Sequence, residues 1–348
     1  MTDAKKIATT TIRKKMTRRT AELLRRLSEI PKKGYAFGHQ DALSYGITWK
    51  NNGKKMKSDV ALVCGKYPAV FGFELGNLEK ALPNSIDSVN FDIMRKLIRK
   101  AYKKGGVVTL SWHPDNPVSN GNAWDITKAV PSLLPEGDRY DTLYEWTKNL
   151  AHFFRSLKDK KGKRIPVIFR PYHEMNGGWF WWGKGHCNAQ EYQRLWRETH
   201  RLLVREFKVH NLLYCYSPNL LFRKKDYLTY YPGDAYVDML GIDVYQHLTT
   251  GLFKRHLKKD LRTLQTVAKA KNKPYALTET GLEKVNTANW FTKVLHPLLK
   301  DSGICYALVW RNDSERHHYA PFPGHTSCDD FIRFSRLEEV LFLNDLKR

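Results

Sequence analysis

Carboxylates placed among aromatic rings are the first chemistry this sequence offers. Residues 170–183, RPYHEMNGGWFWWG, set Glu174 beside His173 and ahead of Trp179, Phe180, Trp181 and Trp182. A buried strand would not interrupt its apolar run with His and Glu, and a solvated loop would not spend four large rings on water. A second acid, Glu279, ends the apolar run PYALTETG (274–281), and Asp243 and Glu74 end two others. Two carboxyl groups about 5 to 5.5 Å apart can cleave an acetal with retention, one protonating the leaving oxygen and the other attacking carbon. Glu174 and Glu279 are the pair expected to flank one bond. Asp243 is expected to orient a neighbour, and Glu74 to be held by a basic group. Flat rings suit the apolar faces of pyranoses, and an apolar wall raises the pKa of an acid set against it.

The elements that must position these groups follow from periodicity. Short β-branched or aromatic runs occur at 35–40, 68–75, 107–113, 166–174, 211–218, 238–245, 274–281 and 306–312. Amphipathic stretches with an apolar residue every three or four positions separate them, including 91–104, 140–159, 189–207, 256–271 and 287–301. Alternating strands and helices of this number predict a single α/β domain over 1–348, a (β/α)8 TIM barrel. An extra N-terminal helix is expected over 16–30, a closing helix over 331–348, and no regular structure over 1–15. In such a barrel the site lies where strands end. Nearly every run here ends polar or aromatic: His39 and Gln40, Glu74, Trp112 and His113, His173 and Glu174, Asp243 and Tyr245, Glu279, Trp310 and Arg311.

HEMNG with the following WFWWG, together with GHQDALSYG, SWHPDNP and LTETG, resembles glycoside hydrolase family 26, best known for endo-β-1,4-mannanases. The resemblance runs from about residue 35 to the end. It implies Glu174 as acid/base and Glu279 as nucleophile of a retaining mechanism. It also implies that His113, His173, Trp179, Tyr245, Trp310 and Arg311 surround the sugar at the cleaved bond and its neighbours. Trp112, Trp124 and Asp243 complete the expected substrate-binding set. The expected substrate is β-mannan polysaccharide or manno-oligosaccharide. Mannobiose-releasing action and the β-1,3-xylanase and mixed-linkage β-glucanase activities of the same family are the alternatives. A non-catalytic glycan-binding barrel would lack the acid or the nucleophile, and both are present. The loops after the first, second and eighth strands are the candidate walls of a blocked groove. Because KNNGKKMK within the first has little apolar content to anchor a wall, an open cleft and endo action are expected.

Other features bound the partners. The 59 Lys and Arg against 35 Asp and Glu leave a net charge of +24, but the basic runs fall on amphipathic segments, apart from the aromatic ones. Single-strand binders interleave the two, so no nucleic-acid partner is expected. No run is long and apolar enough to span a membrane, and MTDAKKIATTTIRKKM lacks the apolar core of a secretory signal. The polymeric substrate nevertheless predicts a secreted, periplasmic or cell-surface location, and a monomer. HEMNG is not HExxH, and His317 and His318 lack spaced partners, so neither a metal nor a cofactor is expected. Cys187 and Cys328 are the pair that could join. Asn312, in an N-x-S match, is expected to stay unmodified because a glycan there would block the site.

Overall fold

In the computed structural model, which describes residues 16–346, the apolar runs form parallel strands. These are β1 Tyr35–Gln40, β2 Val70–Glu74, β3 Val107–Trp112, β4 Val167–Pro171, β5 Leu212–Tyr216, β6 Met239–Tyr245, β7 Tyr275–Gly281 and β8 Tyr306–Val309. Each pairs with the next, and β8 returns to β1 from Ala36↔Tyr306 to His39↔Val309, closing a barrel. The strands are apolar throughout because both of their faces are buried. Ala36, Val70, Val107, Ile168, Leu213, Met239, Ala276 and Tyr306, one from each strand, share the inner core. The residues that follow several of them, such as Phe37, Phe71, Phe169 and Leu277, belong to the outer core beneath the helices. This alternation decides which strand-end side chains reach the mouth.

Helices α1 Arg18–Glu29, α2 Asp59–Cys64, α3 Phe91–Lys103, α4 Tyr140–Ser156, α5 Ala189–Arg201, α6 Thr250–Lys271, α7 His296–Leu299 and α8 Cys328–Phe334 accompany the strands. The expected extra helix is α1, capped by Thr17, and its Leu23 and Leu27 join the inner core. The helix expected over 189–207 continues past Arg201 as a π turn, Leu202–Glu206. The helix expected over 287–301 begins with a π turn, Phe291–Leu295, ahead of α7.

The closing helix expected over 331–348 is corrected. Helix α8 ends at Phe334, and Val340–Leu341 form a short strand against the start of β1. Burial of two apolar side chains beside Tyr35 and Ala36 outweighs helical continuation. Gly34, at φ 145°, permits it, because a Cβ there would lie 2.1 Å from the Glu339 carbonyl oxygen. The expectation for residues 1–15 lies outside the described residues. Among the described residues no helix is long and apolar enough to cross a membrane.

Candidate active site

The chain leaves β4 through a turn in which Tyr172 (φ 48°) and Glu174 (φ 55°) are left-handed. Non-glycine residues adopt this conformation at a cost, and such strain concentrates at functional sites. The Glu174 amide donates to the Ser217 carbonyl at 2.9 Å, which docks the turn on the end of β5. Asn176 fastens it further, its Nδ2 donating to the Asn219 carbonyl at 2.8 Å and its Oδ1 accepting from the Asn219 amide at 2.7 Å. Asn219 Nδ2 in turn donates to Glu174 Oε1 at 2.6 Å, and Trp179 Nε1 donates to Oε2 at 2.9 Å. Gly177 is required because a Cβ there would lie 2.3 Å from the Trp179 ring.

Glu279 reaches the mouth through a bulge. Register between β6 and β7 shifts between Ile242↔Leu277 and Asp243↔Glu279, so that Thr278 and Glu279 both face inward. Thr278 Oγ1 donates to Asp243 Oδ1 at 2.6 Å, and Tyr245 Oη donates to Glu279 Oε2 at 2.7 Å. Arg170, inward from β4, donates Nη1 to Asp243 Oδ2 at 2.9 Å and Nη2 to Glu279 Oε1. Asp243 is fully buried, so it holds Arg170 in place, in keeping with the expected orienting role and not with direct contact to substrate. Oxygens of Glu174, Asp243 and Glu279 lie within 4.8 Å of one another. Burial and the charge of Glu279 raise the Glu174 pKa to about 7, against the opposing bonds from Asn219 and Trp179.

On the other side of the mouth Glu74 is held by a basic neighbour, as expected. His113 Nδ1 lies 2.9 Å from its Oε2, and Ser111 also donates to it. Burial alone would raise this carboxyl, but the His113 charge and the hydrogen bonds outweigh it and hold it at about 2. The same pairing overcomes burial and raises His113, whereas burial and the charges of Arg170 and His113 push His173 well below the usual histidine range. The two imidazoles, shifted in opposite directions, meet edge to face at 4.5 Å. Trp124 stacks on His113 at 5.4 Å and 14°, and Trp310 stands 6.4 Å from the same ring.

Some expected contacts are corrected. Trp112 is fully buried and points away from the mouth, its Nε1 donating to Glu79 at 3.0 Å, because it alternates with inward Ser111 and His113. Of the four-ring run only Trp179 is exposed; Phe180 and Trp182 stack at 4.4 Å behind the imidazoles as a buried backing. The loop after β1 is anchored after all, by Trp49 Nε1 and the Ile47 amide donating to Asp59. Arg311 ties it to the loops after β2 and β8, meeting Asp87 at 3.1 Å, Asp313 at 2.7 Å and the Tyr45 hydroxyl at 3.3 Å. These residues and Trp49 line a cavity of about 510 Å³. Cys187 and Cys328 are free thiols, and Asn312 is buried against Asp59 and Ala320, closed to modification.

Arg170 and Asn219 were not among the expected site residues. An arginine two residues after Ile168 shares its inward parity, which is a readable signal. Nothing comparable marks Asn219, which sits in an irregular segment after β5.

A closed (β/α)8 barrel with two carboxyls face to face over an indole-lined mouth defines a glycoside hydrolase. The chain belongs to glycosyl hydrolase family 26, whose family model matches residues 12–292 and so includes both glutamates. It is similar to the structure of a GH26 β-mannanase from Bacteroides ovatus, at 42% identity and a TM-score of 0.91 over 94% of this chain and 95% of that one. A modular endo-β-1,4-mannanase from Cellulomonas fimi is 33% identical, with a TM-score of 0.87 over 95% of this chain and 76% of that one. A mannan endo-1,4-β-mannosidase from Bifidobacterium adolescentis is 36% identical over 275 residues, 76% of this chain and 27% of that protein. The chain thus spans about a quarter of that relative's length.

Proposed function

We propose that the protein is a retaining endo-β-1,4-mannanase that acts outside the cytoplasm as a monomeric catalytic domain. The observation that carries the mechanism is the unequal holding of two carboxyls whose oxygens approach within 4.8 Å. Inverting enzymes leave about 6.5 to 9.5 Å for a water between the two groups. Glu174, raised to about 7, keeps a proton for the leaving oxygen. Glu279, with Arg170 on one oxygen and Tyr245 on the other, is fixed for attack on the anomeric carbon. Once the glycosyl ester forms, the negative charge of Glu279 is gone, and one cause of the raised Glu174 pKa goes with it. Glu174, which gave its proton to the leaving oxygen, is by then a carboxylate, and it takes a proton from the water that hydrolyses the ester.

The mannan substrate and the endo mode are supported by the relatives' names. The three loops joined by Arg311 favour a second reading, release of mannobiose from chain ends, since the ion pairs fasten together the candidate walls of the groove. A rapid fall in mannan viscosity with mixed early oligomers supports endo action, and mannobiose as the sole early product overturns it. For the roles, Glu279→Ala is expected to abolish turnover of every substrate. Glu174→Ala is expected to retain turnover of aryl mannosides whose leaving group needs no proton. Equal residual rates for the two variants on such a substrate would contradict the assignment.

A further inference from the structure

The net charge of +24 takes no part in the site, and the fold does not spread it evenly. All barrel strands run the same way, so the loops that follow them carry the site and the loops that precede them form the opposite pole. At that pole the segment entering β3 carries Lys103 and Lys104, and the segment entering β4 carries Lys158, Lys160, Lys161 and Lys163. All six are exposed. Among the described residues none of the six has an ion-pair partner, and the one carboxylate between them, Asp159, is taken by Arg19 at 2.8 Å. Backbone contacts join these segments into one surface. Arg19 donates to the Lys163 carbonyl, Arg99 to that of Lys158, and Arg164 to that of Lys208, which brings in the segment entering β5.

The opposite end gathers acids and rings as well as exposed lysines, such as Lys54, Lys55, Lys224 and Lys225, on its loops. Glu74, Glu174, Asp243 and Glu279 face the mouth, and the exposed rings Trp124, Trp179 and Phe222 stand on loops that follow strands. The basic pole therefore offers many unneutralised ammonium groups over a broad face, and among the described residues these segments expose no large apolar side chain. A linear polyanion calls for an aligned groove, whereas a broad array fits a plane of negative charge. We propose that this pole docks peripherally on a bilayer surface of anionic lipid headgroups, leaving the mouth turned outward toward polymer.

Co-sedimentation with vesicles of phosphatidylcholine containing about one third phosphatidylglycerol tests the proposal. The protein is expected to pellet with them at low salt, to be released by about 0.5 M NaCl, and to ignore pure phosphatidylcholine. Lys160→Glu/Lys161→Glu should weaken binding by about tenfold or more. Lys224→Glu/Lys225→Glu, the same change of net charge on exposed residues after β5, should weaken it less than about threefold. Circular dichroism melts report whether each variant folds, and Lys103→Glu/Lys104→Glu repeats the test on the neighbouring segment. Equal losses from the two faces, or no pelleting with anionic vesicles, would overturn the docking face. Binding to soluble polygalacturonate without binding to vesicles would overturn it too, in favour of an acidic polysaccharide.

Discussion

Glu174 ionises in the unfolded chain near 4.5 and in the fold only near 7. Between those values the folded protein keeps a proton that the unfolded chain has released. Its contribution is therefore fully present below pH 4.5 and is lost as pH rises through 7, a loss of about 3 kcal/mol at pH 8. Glu174→Gln, which cannot ionise, is expected to raise Tm by a few degrees at pH 8 and to leave it unchanged at pH 4. Thermal melts at the two pH values check this, and an equal shift at both would refute it. The same group sets the alkaline limb of catalysis, because the acid must be protonated when the bond breaks: kcat/KM is expected to fall above about pH 7. Asn219 donates to the carboxylate and so lowers this pKa. Asn219→Ala should move the limb to higher pH while lowering kcat, whereas a merely structural residue would leave the limb in place.

Element position separates two tryptophans that look alike in the sequence, Trp112 at the end of β3 and Trp124 on the loop that follows it. Trp112 packs outward against Phe169 and Tyr172 and satisfies buried Glu79, whereas Trp124 is half exposed over His113. Trp112→Phe removes a buried hydrogen bond and part of a ring, and is expected to cost about 1 to 3 kcal/mol of stability with KM unchanged. Trp124→Ala should raise KM several-fold while stability stays within about 0.5 kcal/mol. Denaturant melts and mannan kinetics on both variants check the pair, and the reverse pattern would mean that Trp112 and not Trp124 meets the substrate. The strand positions were legible because eight apolar runs with amphipathic spacers have few other ways to bury both faces. Inward parity was legible too, once His113 was placed in the mouth. The bulge at Thr278–Glu279 was not, since a local break in alternation leaves no compositional mark.

Charge is divided between the two ends of the molecule, and this separates catalysis from adhesion. A neutral polymer approaching a mouth lined by acids and rings has no net charge to be steered or screened. On soluble mannan kcat/KM is expected to change less than about twofold between low and physiological salt. Over the same range, binding to anionic vesicles should fall steeply. A several-fold salt effect on catalysis would place basic groups against substrate.

The identities of Glu174 and Glu279, the barrel that brings them together and the aromatic wall beside one of them were determined by the sequence alone, because residue type and period are local properties. Only the tertiary structure decided that Arg170 bridges Asp243 and Glu279, that Asn219 joins Trp179 on Glu174, and that Asp59 anchors the loop after β1. It also decided that three of the four rings after Glu174 are buried backing and that unpaired lysines from separate segments share one pole. Each of these joins residues far apart in the chain, and which partner a buried polar group finds depends on where the packed strands and loops bring it.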